Sequence, residues 1–255
     1  MGLLDGKKGV IFGVANERSI AWSIAQALAD AGATLGFTYQ GPALLKRVGP
    51  LAERVNAPLL AECDVTDDAS LDQMAKEVES KLGKIDFFVH SVAYANREAL
   101  QGAYYPVSRA DFLQAMEISV YSLAAVTQRM EPLMNDGGSI ITLTYYGSVK
   151  AVPNYNVMGV AKAGLEASVR YIANDVGPRG IRCNAISAGP LRTLAASAIP
   201  DFAKMMEENA ERSPLKRNLE HADVGRSALY FISDLSSGVT GEIHYVDCGY
   251  NVVGF

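Results

Sequence analysis

Short runs of β-branched and aromatic residues alternate along this chain with stretches whose apolar positions recur every three or four residues. The runs are KGVIF (8–12), ATLGFTY (33–39), PLLAECD (58–64), KIDFFVH (84–90), GSIITLT (138–144), GIRCNAIS (180–187) and EIHYVDC (242–248). Their spacing, with helical patterns between them, predicts parallel strands covered on both faces. In 19–32, Ile20, Ile24, Ala27 and Leu28 form one stripe, with Ser19 as N-cap and Gly32 as stop, and 70–83 behaves similarly. Ser108 and Asp111 form a capping-box pattern opening a long helix through Phe112, Ala115, Met116, Ser119, Val120 and Leu123, ending near 132–137. A further helix carries Tyr155 and runs to Gly177 and Pro178. The rhythm predicts an α/β fold: a doubly wound Rossmann-type fold with a seven-stranded parallel sheet flanked by helices, its ligands beyond the carboxyl ends of the strands.

One region breaks the rhythm. Residues 188–217 run through AGPLRTLAASAIPDFAKMMEENAERSPLKR before the next regular helix, and Leu191, Leu194, Ala195, Ile199 and Phe202 make them apolar. The segment is expected to be a substrate-binding lid that excludes water from the crevice. No linker or charge block divides the 255 residues, 49% of them apolar, so 1–255 reads as a single dinucleotide-binding domain.

Composition narrows the function. No stretch approaches the ~18 uninterrupted apolar residues of a membrane span, and the start MGLLDGKKG carries no targeting run, so a cytoplasmic protein without a membrane partner is expected. A net charge of −5 with interspersed signs offers no basic stripe for nucleic acid. Cys63, Cys183 and Cys248 are widely separated, as are His90, His221 and His244, so reduced thiols, packed imidazoles and no metal site are expected.

The candidate chemistry gathers after the strands. In GVANERSIA (13–21) the later glycines of a G-x-G-x-x-G turn are missing, but Gly13 allows the sharp turn, and Ser19 and Ile20 begin a helix whose amides and dipole favour a pyrophosphate. Gln40 ends the second strand where a ribose carboxylate often stands, and nearby Lys46 and Arg47 keep NADPH open beside NADH. Asp64, before Val65, either accepts the adenine amino group or caps the following helix, a role Thr66 fills equally well.

Tyr155 and Lys162 lie seven residues apart in PNYNVMGVAK (153–162). On a helix, seven steps miss registry by only ~20°, so phenol and ammonium share a face. Nearby cationic charge favours phenolate, making the Tyr a better proton donor toward an oxygen that gains charge.

Together these residues resemble the enoyl-acyl-carrier-protein reductases of bacterial fatty acid synthesis, a divergent branch of the short-chain dehydrogenase/reductase superfamily. The likeness covers essentially the whole chain and rests on GVANERSIA (13–21), HSVAYA (90–95), Tyr145 ten residues before Tyr155, the Tyr155-x6-Lys162 spacing and NAISAGPLRTLAAS (184–197). The commoner Tyr-x3-Lys spacing would place the phenol at 158, where Met158 stands. The displacement of ~4.5 Å along a helix suits hydride delivery to Cβ, three bonds from a thioester oxygen.

The resemblance implies NADH-dependent reduction of trans-2-enoyl thioesters carried by acyl carrier protein or CoA, in a homotetramer, and the apolar segment 241–255 is compatible with burial at a subunit contact. It implies that Tyr155 donates to the enolate oxygen, that Lys162 binds the nicotinamide ribose and biases that phenol, and that Tyr145 is a second donor or a wall. Gly13, Ser19, Ile20, Gln40, Asp64, Val65, Val92, Leu191, Arg192, Thr193, Leu194 and Ala195 would then meet the cofactor and Ala95 the acyl substrate. The thin basic patch around Lys204 leaves carrier protein against CoA open, with Arg192, Arg212, Lys216 and Arg217 able to compensate. Two rivals remain: a carbonyl or β-ketoacyl reductase of the same superfamily, opposed by Met158, and a non-catalytic dinucleotide-sensing protein, opposed by Tyr155 with Lys162.

Overall fold

The computed structural model describes residues 2–193 and 202–254. Seven strands, β1 (Lys8–Phe12), β2 (Thr34–Tyr39), β3 (Leu59–Glu62), β4 (Ile85–His90), β5 (Met134–Thr144), β6 (Arg182–Ala188) and β7 (Ile243–Val246), form one sheet in the order β3-β2-β1-β4-β5-β6-β7. Every pairing is parallel, as the apolar runs predicted. Neighbouring side chains enter opposite layers. Ile11, Phe87, Val89, Ile141 and Ile186 pack on one face with α1 (Ile20–Asp30), α2 (Gly41–Arg54) and α8 (His221–Ile232). Val10, Phe12, Phe88, Ile140 and Ala185 pack on the other with α3 (Asp68–Leu82), α5 (Ser122–Met130) and α6 (Asn156–Val176). Burial on both faces explains why the strands read as continuous apolar runs.

The strand order reverses between β1 and β4, and register pairs Phe12 with His90 and His90 with Thr142. The ends of three central strands are therefore level and open a crevice at the switch point.

Local chemistry departs from the sequence pattern in several places. Helix α2 went unread: Pro42 suits its first turn, whereas Gly49 and the internal Pro50 mask its periodicity. The long helix after Ser108 is interrupted. Ser108 accepts from the Asp111 amide at 3.0 Å to open α4 (Arg109–Met116), but Glu117–Tyr121 then widens into a π turn before α5. That turn brings buried Ser119 against the backbone of Tyr94, accepting from its N–H at 3.0 Å and donating to its carbonyl at 3.1 Å. It also places Ser122 Oγ 2.8 Å from His90 Nε2, so an interruption in α-helical pitch holds the loop after β4.

The segment 188–217 is not irregular throughout, because α7 (Phe202–Arg212) lies within it. Leu191 is buried, while Leu194, Ala195 and Ile199 lie outside the described residues, as does the side chain of Phe202.

Candidate active site

All the described candidates lie at the carboxyl side of the sheet or on the first two turns of the helices that follow. Gly13 follows β1 with φ +92°, and a Cβ there would come within 2.0 Å of the Ser91 carbonyl oxygen. Only glycine allows β1 and β4 to close so tightly beside the turn. Ser19 occupies the cap position of α1, but its hydroxyl faces backward, accepting from the amides of Ala15 (2.9 Å) and Asn16 (3.0 Å). The hydroxyl shapes the loop that presents the first turn of α1, where Ile20 stands, while only the Ser19 carbonyl accepts from that turn, from the Trp22 amide at 3.1 Å.

At the ends of β2 and β3, Gln40 Nε2 donates to Asp64 Oδ2 at 2.8 Å. Partial burial opposes ionisation of Asp64, but bonds from the Thr66 amide, the Thr66 hydroxyl and Gln40 hold its carboxyl below the ordinary range. Neither Asp64 nor Thr66 caps α3. Asp67 does, accepting from the Ala69 amide at 3.0 Å, because Asp64 Oδ1 is already closed into a local turn by Thr66. Val65 and Val92 are half-buried against the core beneath.

Ala95 and Tyr155 pack against one small cluster with Met158 and Ala161. Tyr155 stands at the cap of α6, not within it as the spacing suggested, with φ −111° and ψ −29°. Asn154 and Asn156 flank it at φ 60° and 37°, left-handed values that asparagine tolerates better than most residues. Turn chemistry therefore aims the phenol. Its ring meets Tyr145 edge-on, centroids 4.9 Å apart, and Gly147 lies so close that a Cβ there would fall 2.5 Å from Tyr155 Cδ1. Tyr145 Oη reaches Met205 Sδ on α7 at 3.9 Å. Tyr145 also lines a cleft of about 190 Å³ with Pro153, Met205, Asn209 and Asp247.

Lys162 is buried, 7% exposed, and its Nζ donates to the Leu143 carbonyl at 2.7 Å. No hydrogen bond joins it to Tyr155. Burial lowers its pKa to about 8, with Glu166 opposing the fall. The expected cationic lowering of the Tyr155 phenol is not found. Tyr155 is partly open, yet burial of the rest, with Tyr145 and Glu166 beside it, pushes the phenol above its ordinary range. Tyr145 is raised to about 12, mainly by burial, then by Tyr250, Asp247 and Tyr146. Both phenols stay protonated at neutral pH, the state a hydrogen-bond or proton donor needs.

Sequence reading missed Glu166, 7% exposed, which accepts from Thr144 Oγ1 at 2.7 Å. Its position four residues after Lys162 was the available signal. Gly147 carried none. His90 is a packed imidazole as expected, fully buried between the Thr142 and Ser122 hydroxyls, and burial lowers its pKa to about 3. After β6, Leu191 is buried, Arg192 exposed and Thr193 half-buried, while Leu194 and Ala195 lie outside the described residues.

A parallel sheet with a level switch-point crevice, an amide-bearing first turn, a polar pair after β2 and β3, and a Tyr with a buried Lys after β5 define a dinucleotide-dependent reductase of the short-chain type. Comparison narrows the class. Residues 13–251 match the family model described as enoyl-(acyl carrier protein) reductase, and the chain belongs to that family. It is 59% identical over 253 residues to enoyl-[acyl-carrier-protein] reductase [NADH] 1 of Rhizobium meliloti (strain 1021), covering 99% of this chain and 93% of that one. The solved enoyl-(acyl-carrier-protein) reductase from Anaplasma phagocytophilum in complex with NAD is 52% identical, with a TM-score of 0.96 over 100% of this chain and 97% of that one. That of Bacillus cereus, solved with NADP+ and indole naphthyridinone, is 49% identical, with a TM-score of 0.98 over 100% of both.

Proposed function

We propose that the chain is an NADH-dependent enoyl-acyl-carrier-protein reductase, saturating trans-2-enoyl thioesters in fatty acid biosynthesis. The observation that carries the reading is the convergence of Tyr155 and Tyr145, 4.9 Å between ring centroids, at the end of β5, where Lys162 also anchors. The dinucleotide fits these residues: Gly13 closes the turn, Ile20 opens α1, and Gln40 with an ionised Asp64 offers donors and acceptors for ribose and adenine. When bound, the reduced nicotinamide supplies the hydride.

The protein's part is orientation and charge stabilisation. Tyr155 gives the thioester oxygen a hydrogen bond that strengthens as that oxygen gains enolate charge, and Tyr145 lies beside it as second donor or wall. Their high pKa values keep both as neutral donors at the pH of the reaction. Lys162 binds the nicotinamide ribose. Ala95, in the same packed cluster as Tyr155, bounds the acyl group. Val65 walls the adenine end, Val92 lies beside the cofactor, and Leu191 through Ala195, with Thr193 offering a hydroxyl, wrap it. Segment 188–217 acts as the lid of a single domain, which the bond from Tyr145 to Met205 on α7 supports.

Acyl carrier protein is the preferred carrier, and the assembly is a cytoplasmic homotetramer. Among the described residues no helix is long and apolar enough to cross a membrane. Exposed Arg192 and Arg212 are the cations for an acidic carrier, because Arg217 pairs with Asp223 at 2.7 Å, Lys204 pairs with Glu208 at 3.9 Å and Lys216 Nζ donates to the Glu211 carbonyl. The test measures loss of reduced-nicotinamide absorbance with crotonyl and acetoacetyl thioesters, on CoA and on carrier protein, with NADH and with NADPH. Preference for acetoacetyl substrates would establish the ketone reductase instead, and NADH binding without turnover of any thioester the sensing protein.

A further inference from the structure

Two successive residues of β5 divide two buried opposite charges between them. Leu143 offers its carbonyl to the Lys162 ammonium at 2.7 Å, and Thr144 donates its hydroxyl to Glu166 at 2.7 Å. Lys162 and Glu166 are both 7% exposed and stand four residues apart on α6, on one face of the helix. No direct ion pair joins them, so each charge is held by a strand group while the two act through the low-dielectric space between. A buried ion is strongly disfavoured without a compensating charge or hydrogen bonds. Here each ion has both.

We propose that Glu166 is a positioning residue for the reaction, held by Thr144 so that its carboxylate keeps Lys162 charged at the site. The proposal rests on the reading of Lys162 as the ribose-binding cation.

The surroundings leave this task to Glu166. On β4, His90 has both ring nitrogens committed to hydroxyls and is neutral near pH 7, so it supplies no counter-charge. Around the pair stand the phenols of Tyr145 after β5, Tyr155 at the head of α6 and Tyr245 on β7, with the carboxylate of Asp247 beyond. The field of Glu166 reaches Tyr155 and Tyr245 and raises both phenols, while that of Asp247 is felt at Tyr145 and Tyr245. At Lys162 itself, Glu166 is the charge that opposes desolvation.

Glu166→Gln keeps the shape and an oxygen for Thr144 but removes the charge. In the free enzyme, the Lys162 13Cε NMR titration, assigned by its loss in Lys162→Met, should move to lower pH by on the order of one unit, since an opposite charge moves a pKa by about 1 to 3 units. The alkaline limb of kcat/KM should move with it. Thr144→Ala, which releases the carboxylate without deleting it, should shift both in the same direction by less, and Glu166→Asp should restore much of the wild-type position. Should Glu166→Gln fail to fold, the comparison of Thr144→Ala with wild type decides the matter. An unmoved Lys162 titration in the folded variants, with activity lowered equally at every pH, would overturn the proposal and leave Glu166 a packing residue. Wild-type enzyme inactive on every enoyl thioester would overturn the functional reading instead, while the NMR titration still reports on Glu166.

Discussion

The two ends of the crevice are built in opposite ways. Around Tyr155, Lys162 and Glu166 the charged side chains are buried, burial displaces the pKa values of Lys162 and Tyr155, and Gly147 beside the Tyr155 ring admits no extra methyl group. Around Gln40 and Asp64 the groups are more open, bonded to each other and closed by a short local turn. Substitutions at the first end should act through chemistry and strain, and those at the second through binding alone.

The largest expected difference is at Tyr155. Tyr155→Phe removes the donor but keeps the ring against Tyr145, so kcat should fall by about 10²- to 10⁴-fold, the usual worth of a positioned proton donor, with NADH affinity nearly unchanged. Steady-state kinetics beside fluorescence titration of NADH would check it. Equal losses in both would make Tyr155 a packing residue and erase the contrast.

Next comes Gly147→Ala, which adds a methyl group against the Tyr155 ring. Its Cβ would stand 2.5 Å from Tyr155 Cδ1, so the phenol must move by a large fraction of an ångström. Misplacement on that scale is worth about 10²-fold in turnover, and NADH binding at the far end should be unaffected. A fully active Gly147→Ala enzyme would show that the ring's position is not stringent.

How far the sequence foretold each end follows from these particulars. Continuous apolar runs identified all seven strands, because a parallel sheet covered on both faces leaves that signature directly. The loop after β3 was half legible: Asp64 was singled out, but a turn closed by Thr66 and a cap at Asp67 look alike when three candidate residues crowd together. At the other end the seven-residue spacing singled out Tyr155 and Lys162 but not what orients the phenol. Tyr155 is aimed by left-handed Asn154 and Asn156 at the helix cap, a tertiary choice that periodicity cannot express. Gly147 and Glu166 matter through contacts made across the fold, with Tyr155 and with Thr144. Helix α2 and the π turn were hidden for a similar reason, since Pro50 and a widened pitch both break the 3.6-residue rhythm.

A third expectation turns the buried charge into a stability measurement. Lys162 titrates near pH 8 in the folded chain against an ordinary value of 10.5, so between those values the unfolded chain binds more protons than the folded one. Stability from this group therefore rises with pH across that window, and the burden of burying the ammonium is fully present only below about pH 8. The difference in unfolding free energy between wild type and Lys162→Met should climb by on the order of 1.4 kcal/mol per pH unit there. Denaturant titrations at several pH values would show it. A flat difference would mean that the ammonium is better solvated than its 7% exposure implies.

The smallest effects belong to the open end, where two neighbouring substitutions should separate cleanly. Gln40→Ala removes one hydrogen bond to Asp64 and the group proposed to meet the ribose, each worth about 0.5 to 1.5 kcal/mol, so KM for NADH should rise about 2- to 10-fold with kcat unchanged. Asp67→Ala, five residues beyond the strand end, removes the cap that accepts from Ala69 and should cost about 1 kcal/mol of stability without moving KM. If instead Asp67→Ala raises KM while Gln40→Ala lowers only stability, the cofactor's adenine end lies along α3. Because both changes are at exposed positions and neither leaves a buried ion unpaired, the outcome reads binding against folding with little strain to confuse it.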